Sequence, residues 1–189
     1  SVITQRWKIN ITYNPMTRVE FEPVYNFLLR KRGGIEPFFV VLPQYTSAQD
    51  TTFAASAYHS ALSVDGSSSV AAGTKTLLIS NSNYNYSTHG TPRPGDLFRV
   101  SDSNNSNHQK AYMVTRVETN ADYQNGLARP SVSQLRLSFE PGFSKAVSSS
   151  STFDFDKPKI KVATLADVQE YTLNTDNLYQ YSLALEEVL

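Results

Sequence analysis

The chain has no cysteine. Disulfides, zinc–thiolate centres and thiol nucleophiles are therefore excluded. Histidine is nearly as scarce. His59, His89 and His108 are the only three, they stand far apart in polar stretches, and no HExxH or His-rich spacing occurs. All three are expected in surface loops. Charge of either sign is not in surplus, since 17 Lys and Arg balance 17 Asp and Glu. That balance argues against specific nucleic-acid binding, which calls for a basic face, and gives no electrostatic reason to sit on an anionic membrane. A neutral protein is prone to associate, as a subunit held in an assembly does. No apolar run approaches the roughly 18 residues of a membrane span, and the opening SVITQRWKIN carries no apolar signal core. Glycine is too sparse for a phosphate cradle. The one pair, Gly33-Gly34, follows a helical pattern where an anion site would open one. There is no G-x-S-x-G nucleophile motif. The chain is expected not to be an enzyme, with no catalytic residue, no metal site and no cofactor.

What the sequence does carry is aromatic residues, 11 Tyr and 10 Phe, a load that suits strands and interfaces. Residues 5–13, QRWKINITY, alternate, with Trp7, Ile9, Ile11 and Tyr13 on one face, as in a half-buried strand. Residues 17–31 have the marks of a helix. Thr17 and Glu20 fit a capping box, and Pro23 places the regular helix nearer Glu22 or Pro23. Val24, Phe27 and Leu28 form its expected buried stripe. Glu20 and Glu22 sit at the positive end of the helix dipole and Arg30, Lys31 and Arg32 at the negative end, a solvated helix end. Gly33-Gly34 supplies the left-handed cap. Residues 36–42, EPFFVVL, are nearly all apolar and are expected to be a strand covered on both faces.

Composition changes after Tyr45. Residues 46–74, rich in Ser, Ala, Thr and Gly, are expected to be an extended connection, and 81–95 a polar loop. Between and beyond them, KTLLIS (75–80), LFRVS (97–101), AYMVTRV (111–117) and QLRLSFE (134–140) have strand patterns, enough for a small closed or partly closed barrel. VSSSST (147–152) is a second junction. The first pattern then returns in FDFDKPKIKV and in LYQYSLALEEVL, where Tyr179, Tyr181, Leu183 and Leu185 share a face. The expected layout is mainly β. A discontinuous sandwich or barrel domain, 1–47 with 152–189, is flanked by the helix 17–31, and an inserted small β-barrel occupies 55–150.

Among site candidates, Asp154 and Asp156 alternate with Phe153 and Phe155, so both carboxylates are expected on the solvent face. DSNNSN (102–107) lacks the glycine and glutamate of a calcium loop and is expected to be a turn. Tyr84 and Tyr86, in NSNYNYSTHG, either stack on sugar or make an assembly contact. The sequence favours neither.

The layout QRWKINITYNP, TRVEFEPVYNFLLRKRGGIEPFFVVLPQY and a terminal YQYSLALEEVL resembles the minor tail protein M and distal tail protein families of tailed phages. Trp7, Arg18, Glu20, Phe27, Leu28, Gly33, Gly34, Phe38, Pro43, Tyr45, Tyr181, Leu183 and Glu186 carry the resemblance, which covers roughly 5–45 and 177–189. Short members of that family have little between the aromatic strand and the last one. The long stretch in between here looks like the small β-barrel insertion of larger phage tail proteins. The resemblance implies a structural subunit of a tail tip or baseplate, made in the host cytoplasm and located in the virion. It implies a homo-oligomeric ring, usually a hexamer, joining the tail tube to hub, baseplate and adsorption proteins. The alternative is a carbohydrate-binding β module contacting host surface glycans.

Overall fold

The computed structural model describes residues 5–124, 126–166 and 170–189. In chain order, the first elements are β1 (Lys8–Thr12), α1 (Arg18–Arg30), β2 (Phe38–Val40) and α2 (Thr51–Ala55). Next come β3 (Leu62–Val64), β4 (Thr76–Ser80), α3 (Tyr86–His89), β5 (Leu97–Ser101), β6 (Ala111–Glu118) and β7 (Gln134–Glu140). The last are β8 (Thr152–Asp154), β9 (Ile160–Thr164), β10 (Thr172–Leu173), β11 (Tyr179–Gln180) and β12 (Ser182–Glu187). The chain is mainly β, as its patterning predicts, and its described residues divide into two compact units, those within 6–40 and 161–189 and those within 41–160 with Gln5.

The smaller unit is a four-stranded sheet in the order β1-β12-β9-β2, with a β10-β11 hairpin. Ile9 pairs with Leu185 and Ile11 with Leu183, and Leu185 in turn pairs with Thr164. Alternation along β12 sends Leu183, Leu185 and Glu187 inward. The helix starts at Arg18, earlier than Pro23 implies. The Glu20 carboxylate accepts both the backbone N–H and the hydroxyl of Thr17, at 2.9 and 2.8 Å. Those bonds hold the first turn well enough for Pro23 to sit inside the helix, at the loss of one donor. Because regular helix includes the first turn, its buried side chains are Phe21 and Leu28. Phe27, expected in the core, is 44% exposed. Consecutive helical residues point about 100° apart, so Phe27 cannot share the buried line with both Phe21 and Leu28. Phe21 instead centres a ring cluster, 4.4 Å from Tyr179 and 5.1 Å from both Tyr25 and Tyr171.

The two glycines after α1 do different jobs. Arg32 and Gly33 take positive φ, 52° and 67°, and turn the chain. Gly34 allows a close approach instead, since a Cβ there would lie 3.0 Å from the Thr164 carbonyl oxygen. The strand that follows is shorter than 36–42 and open on one side, for Phe38 is buried and Phe39 exposed.

In the larger unit, six strands pair in a closed antiparallel cycle, β3-β4-β7-β6-β5-β8. Inward side chains fill the interior of a barrel this small. Phe98, Tyr112, Phe139, Phe143, Phe153 and Phe155 pack ring against ring there. The unit reaches beyond 55–150 at both ends because Ala48 and Phe53 on one side, and Phe153 and Phe155 on the other, belong to that same core.

Two expected connections are structured. Within 46–74, Asp50 caps α2 by accepting the Thr52 and Phe53 N–H groups, and β3 follows. The Ser-rich stretch at 147–152 is tied down as well. Val147 bridges to Val70, and Ser148 donates through its N–H and its hydroxyl to Asp102.

Candidate assembly interface

Tyr84 and Tyr86 do not stand on an exposed platform. Tyr84 is 2% exposed, its hydroxyl donates to the Gly90 carbonyl at 2.6 Å, and its ring packs against Tyr58 and His89. Burial, with the Asp50 charge nearby, raises the Tyr84 pKa well above the usual phenol value. Tyr86 opens the short helix α3 and packs half-buried against the barrel core. The polar spelling of 81–95 hides this docking. Gly90 has φ +70°, and a Cβ there would meet Asp50 Oδ1 at 2.7 Å and the Phe53 nitrogen at 2.8 Å. The segment is clamped onto α2, and Asp96 adds bonds from the Gln49 and Arg93 N–H groups.

The histidines also differ from expectation. His89 packs on Tyr58 and accepts the Asn85 N–H. His59 is half-buried, with a buried Nδ1 that has no hydrogen-bond partner among the described residues. His108 is buried at 3% exposure. Its Nε2 lies 2.6 Å from the Tyr112 hydroxyl, and burial pushes its pKa down to about 4, with the Asp102 charge opposing that shift and Lys145 adding to it. Among the described residues no cluster of His, Asp and Glu could hold a metal ion.

DSNNSN is a turn in which Asp102 accepts the Asn104 N–H. Burial disfavours the Asp102 charge, but bonds from Ser148, Asn104 and Ser151 outweigh it and hold the carboxyl below its usual range. Asp156 is exposed and Asp154 half-buried, while Phe153 and Phe155 are in the core. Arg30 and Arg32 are exposed at the end of α1.

The surface that stands out lies on the smaller unit. Val19, Phe27, Leu29, Ile35, Phe39, Leu165, Tyr171, Leu173 and Leu189 are large, apolar and exposed there, against Leu127 and Val132 on the barrel unit. Exposed apolar side chains that adjoin one another mark interaction sites, whereas scattered ones do not, and of these Phe27 and Phe39 adjoin at one groove. Ile11, Val24, Phe27, Phe38, Phe39 and Leu183 line an apolar groove of about 370 Å³ between α1 and the sheet. The Phe27 ring stands edge-on to Phe38 at 5.2 Å and carries the Lys31 ammonium 5.3 Å above it. Phe27 also borders a second hollow of about 430 Å³, walled by Arg30, Lys31 and Arg32. Val19, Pro23 and Phe27, four residues apart, form a second stripe along α1. That spacing was available in the sequence, but the stripe is masked by the charged neighbours of Val19.

A separate cleft of about 1040 Å³ is lined by Tyr13, Tyr171 and Tyr181 together with Asn14, Glu170 and Gln180. Tyr13 and Tyr181 stack at 5.9 Å, and burial beside Tyr13 and Tyr25 pushes the Tyr181 hydroxyl up to about 12. No helix among the described residues is long and apolar enough to cross a membrane. Compared with known proteins, the chain matches no family model and no curated sequence.

Proposed function

We propose that this chain is a structural subunit of a phage tail tip or baseplate, ringed at the distal end of the tail tube and linking it to hub and adsorption proteins. The observation that carries this reading is the excess of exposed large apolar side chains on the sheet-and-helix unit, two of which, Phe27 and Phe39, line an apolar groove. The residues that resemble the tail protein families fall mostly on the same unit, from Trp7 to Phe38 and from Tyr181 to Glu186. A subunit whose sheet unit meets its neighbours and whose barrel unit hides its apolar side chains fits the division of labour this role needs. Native mass measurement of the full chain tests it. A closed ring of identical copies, six by the family resemblance, is the expected result. A species that stays monomeric alone and in the presence of tube protein overturns it.

The tyrosine-lined cleft favours one second reading, a carbohydrate-binding module. Aromatic faces beside amide and carboxylate groups suit sugar rings, and Tyr171 is exposed at the cleft. Glycan-array binding by the monomer that disappears in Tyr171→Ala would support that reading over the scaffold.

A further inference from the structure

The charge pattern of α1 points to an occupant for the apolar groove. Its first turns carry Glu20 and Glu22, and its end carries Arg30, Lys31 and Arg32. These ends lie about 12–18 Å apart along the helix, so one copy cannot bring them together. Their partners within the chain are weak. Arg18 and Glu22 are 2.6 Å apart but exposed, Arg32 and Glu36 are 3.8 Å apart and exposed, and such surface pairs contribute little. Arg30 has no ion-pair partner among the described residues. Beside the acidic end stands Val19, at 83% exposure the most exposed large apolar side chain described. Beside the basic end lies the groove at Phe27.

We infer that a second copy of this chain fills the groove. The first turn of its α1 docks head-to-tail, Val19 against Phe27 and Phe39, and Glu22 against Arg30 and its basic neighbours. The contact is heterologous, the kind that closes into a ring when its rotation allows. It rests on the ring-forming reading above and assigns that reading a surface. Burying Val19 and Phe39 together removes apolar area from water. The complementary charges set direction and register.

Sedimentation velocity and native mass measurement on the full chain test the contact, with thermal melts as the folding control. Arg30→Glu and Glu22→Lys should each weaken self-association by at least about tenfold, since each sets like charges face to face. Combining them in one chain should restore it. Val19→Ser, at a position too exposed to matter for folding, should also weaken assembly with its melt unchanged. If the wild type forms a ring and none of these variants affects it, the docking is wrong and the ring stands on another surface. If the single variants weaken assembly and the double variant does not recover it, the charge pairing is wrong. A wild type that stops at two copies, or never associates, overturns the head-to-tail contact, and the second outcome also removes the ring reading. Should Arg30→Glu fail to fold, Val19→Ser decides alone, and unchanged assembly overturns the docking.

Discussion

His108 Nε2 lies 2.6 Å from the hydroxyl of Tyr112 inside the barrel unit, and that hydroxyl also accepts the Ser144 N–H at 3.0 Å. A neutral imidazole fits this site. An imidazolium does not, for its other ring nitrogen is buried without a partner among the described residues.

Stability should therefore depend on pH in a definite window. The folded pKa of His108, about 4, lies below its ordinary value of 6.5. Between those values the unfolded chain binds a proton that the folded chain refuses, so stability falls as pH drops from 6.5 towards 4. The full loss is about 3 kcal/mol. Urea unfolding at pH 7.0, 5.5 and 4.5 should show the decline, and His108→Gln should flatten it. An unchanged slope in the variant would assign the acid sensitivity to other groups.

Phe21→Ala should cost about 3–5 kcal/mol, the range for a buried phenylalanine, because its ring meets Tyr25, Tyr171, Tyr179 and Tyr181. Phe27→Ala should cost about 1 kcal/mol or less, as its ring is partly in solvent. Denaturant midpoints of the two variants should separate clearly. Equal losses would place Phe27 in the core after all.

Glu118 is buried and accepts from Arg136 at 2.7 Å and from Arg116 at 2.9 Å. Burial opposes its charge, but those bonds prevail and keep its carboxyl below the ordinary range. Glu118→Gln leaves the buried Arg136 cation without its counter-charge and should cost about 3–5 kcal/mol. Exchanging both partners for apolar residues, Glu118→Leu with Arg136→Met, should recover most of that loss in the same unfolding assay.

A fragment of residues 41–160 should fold alone, with dispersed amide resonances by NMR. A fragment of 70–148 should not, because it lacks β3 and β8, which pair with each other and close the barrel. It also lacks Phe53, Phe153 and Phe155, three of the large side chains of the core. Dispersed spectra from the shorter piece would mean that four strands suffice.

These contrasts show what patterning could and could not reveal. Strong alternation located β4 to β7 and β12, and the first and last strands pair as their matching patterns imply, Ile11 with Leu183. Phe153 and Phe155 turned inward for the same period-two reason. What patterning missed was packing of short polar segments. Tyr84 packs on Tyr58 and His108 on Phe143, tertiary contacts that local periodicity does not signal. The exposed stripe of Val19, Pro23 and Phe27 is hard to see in the sequence for another reason, since Val19 stands between Arg18 and Glu20 and Phe27 also fits the apolar spacing of Val24 and Leu28. Neither the groove nor the tyrosine cleft has a linear motif, because each draws on segments far apart in the chain.

The order of the sheet has a consequence for biosynthesis. β12 lies between β1 and β9, yet it follows the whole barrel in the chain. During synthesis the barrel can close while β1 and α1 still wait for their central neighbour. A chain stopped between residues 160 and 182 would carry a finished barrel and an unbuilt sheet. The groove between α1 and the sheet, which borrows Leu183 from β12, would not yet exist. Incomplete chains would thus lack the surface proposed to recruit neighbours, which would keep them out of an assembly without any separate checkpoint.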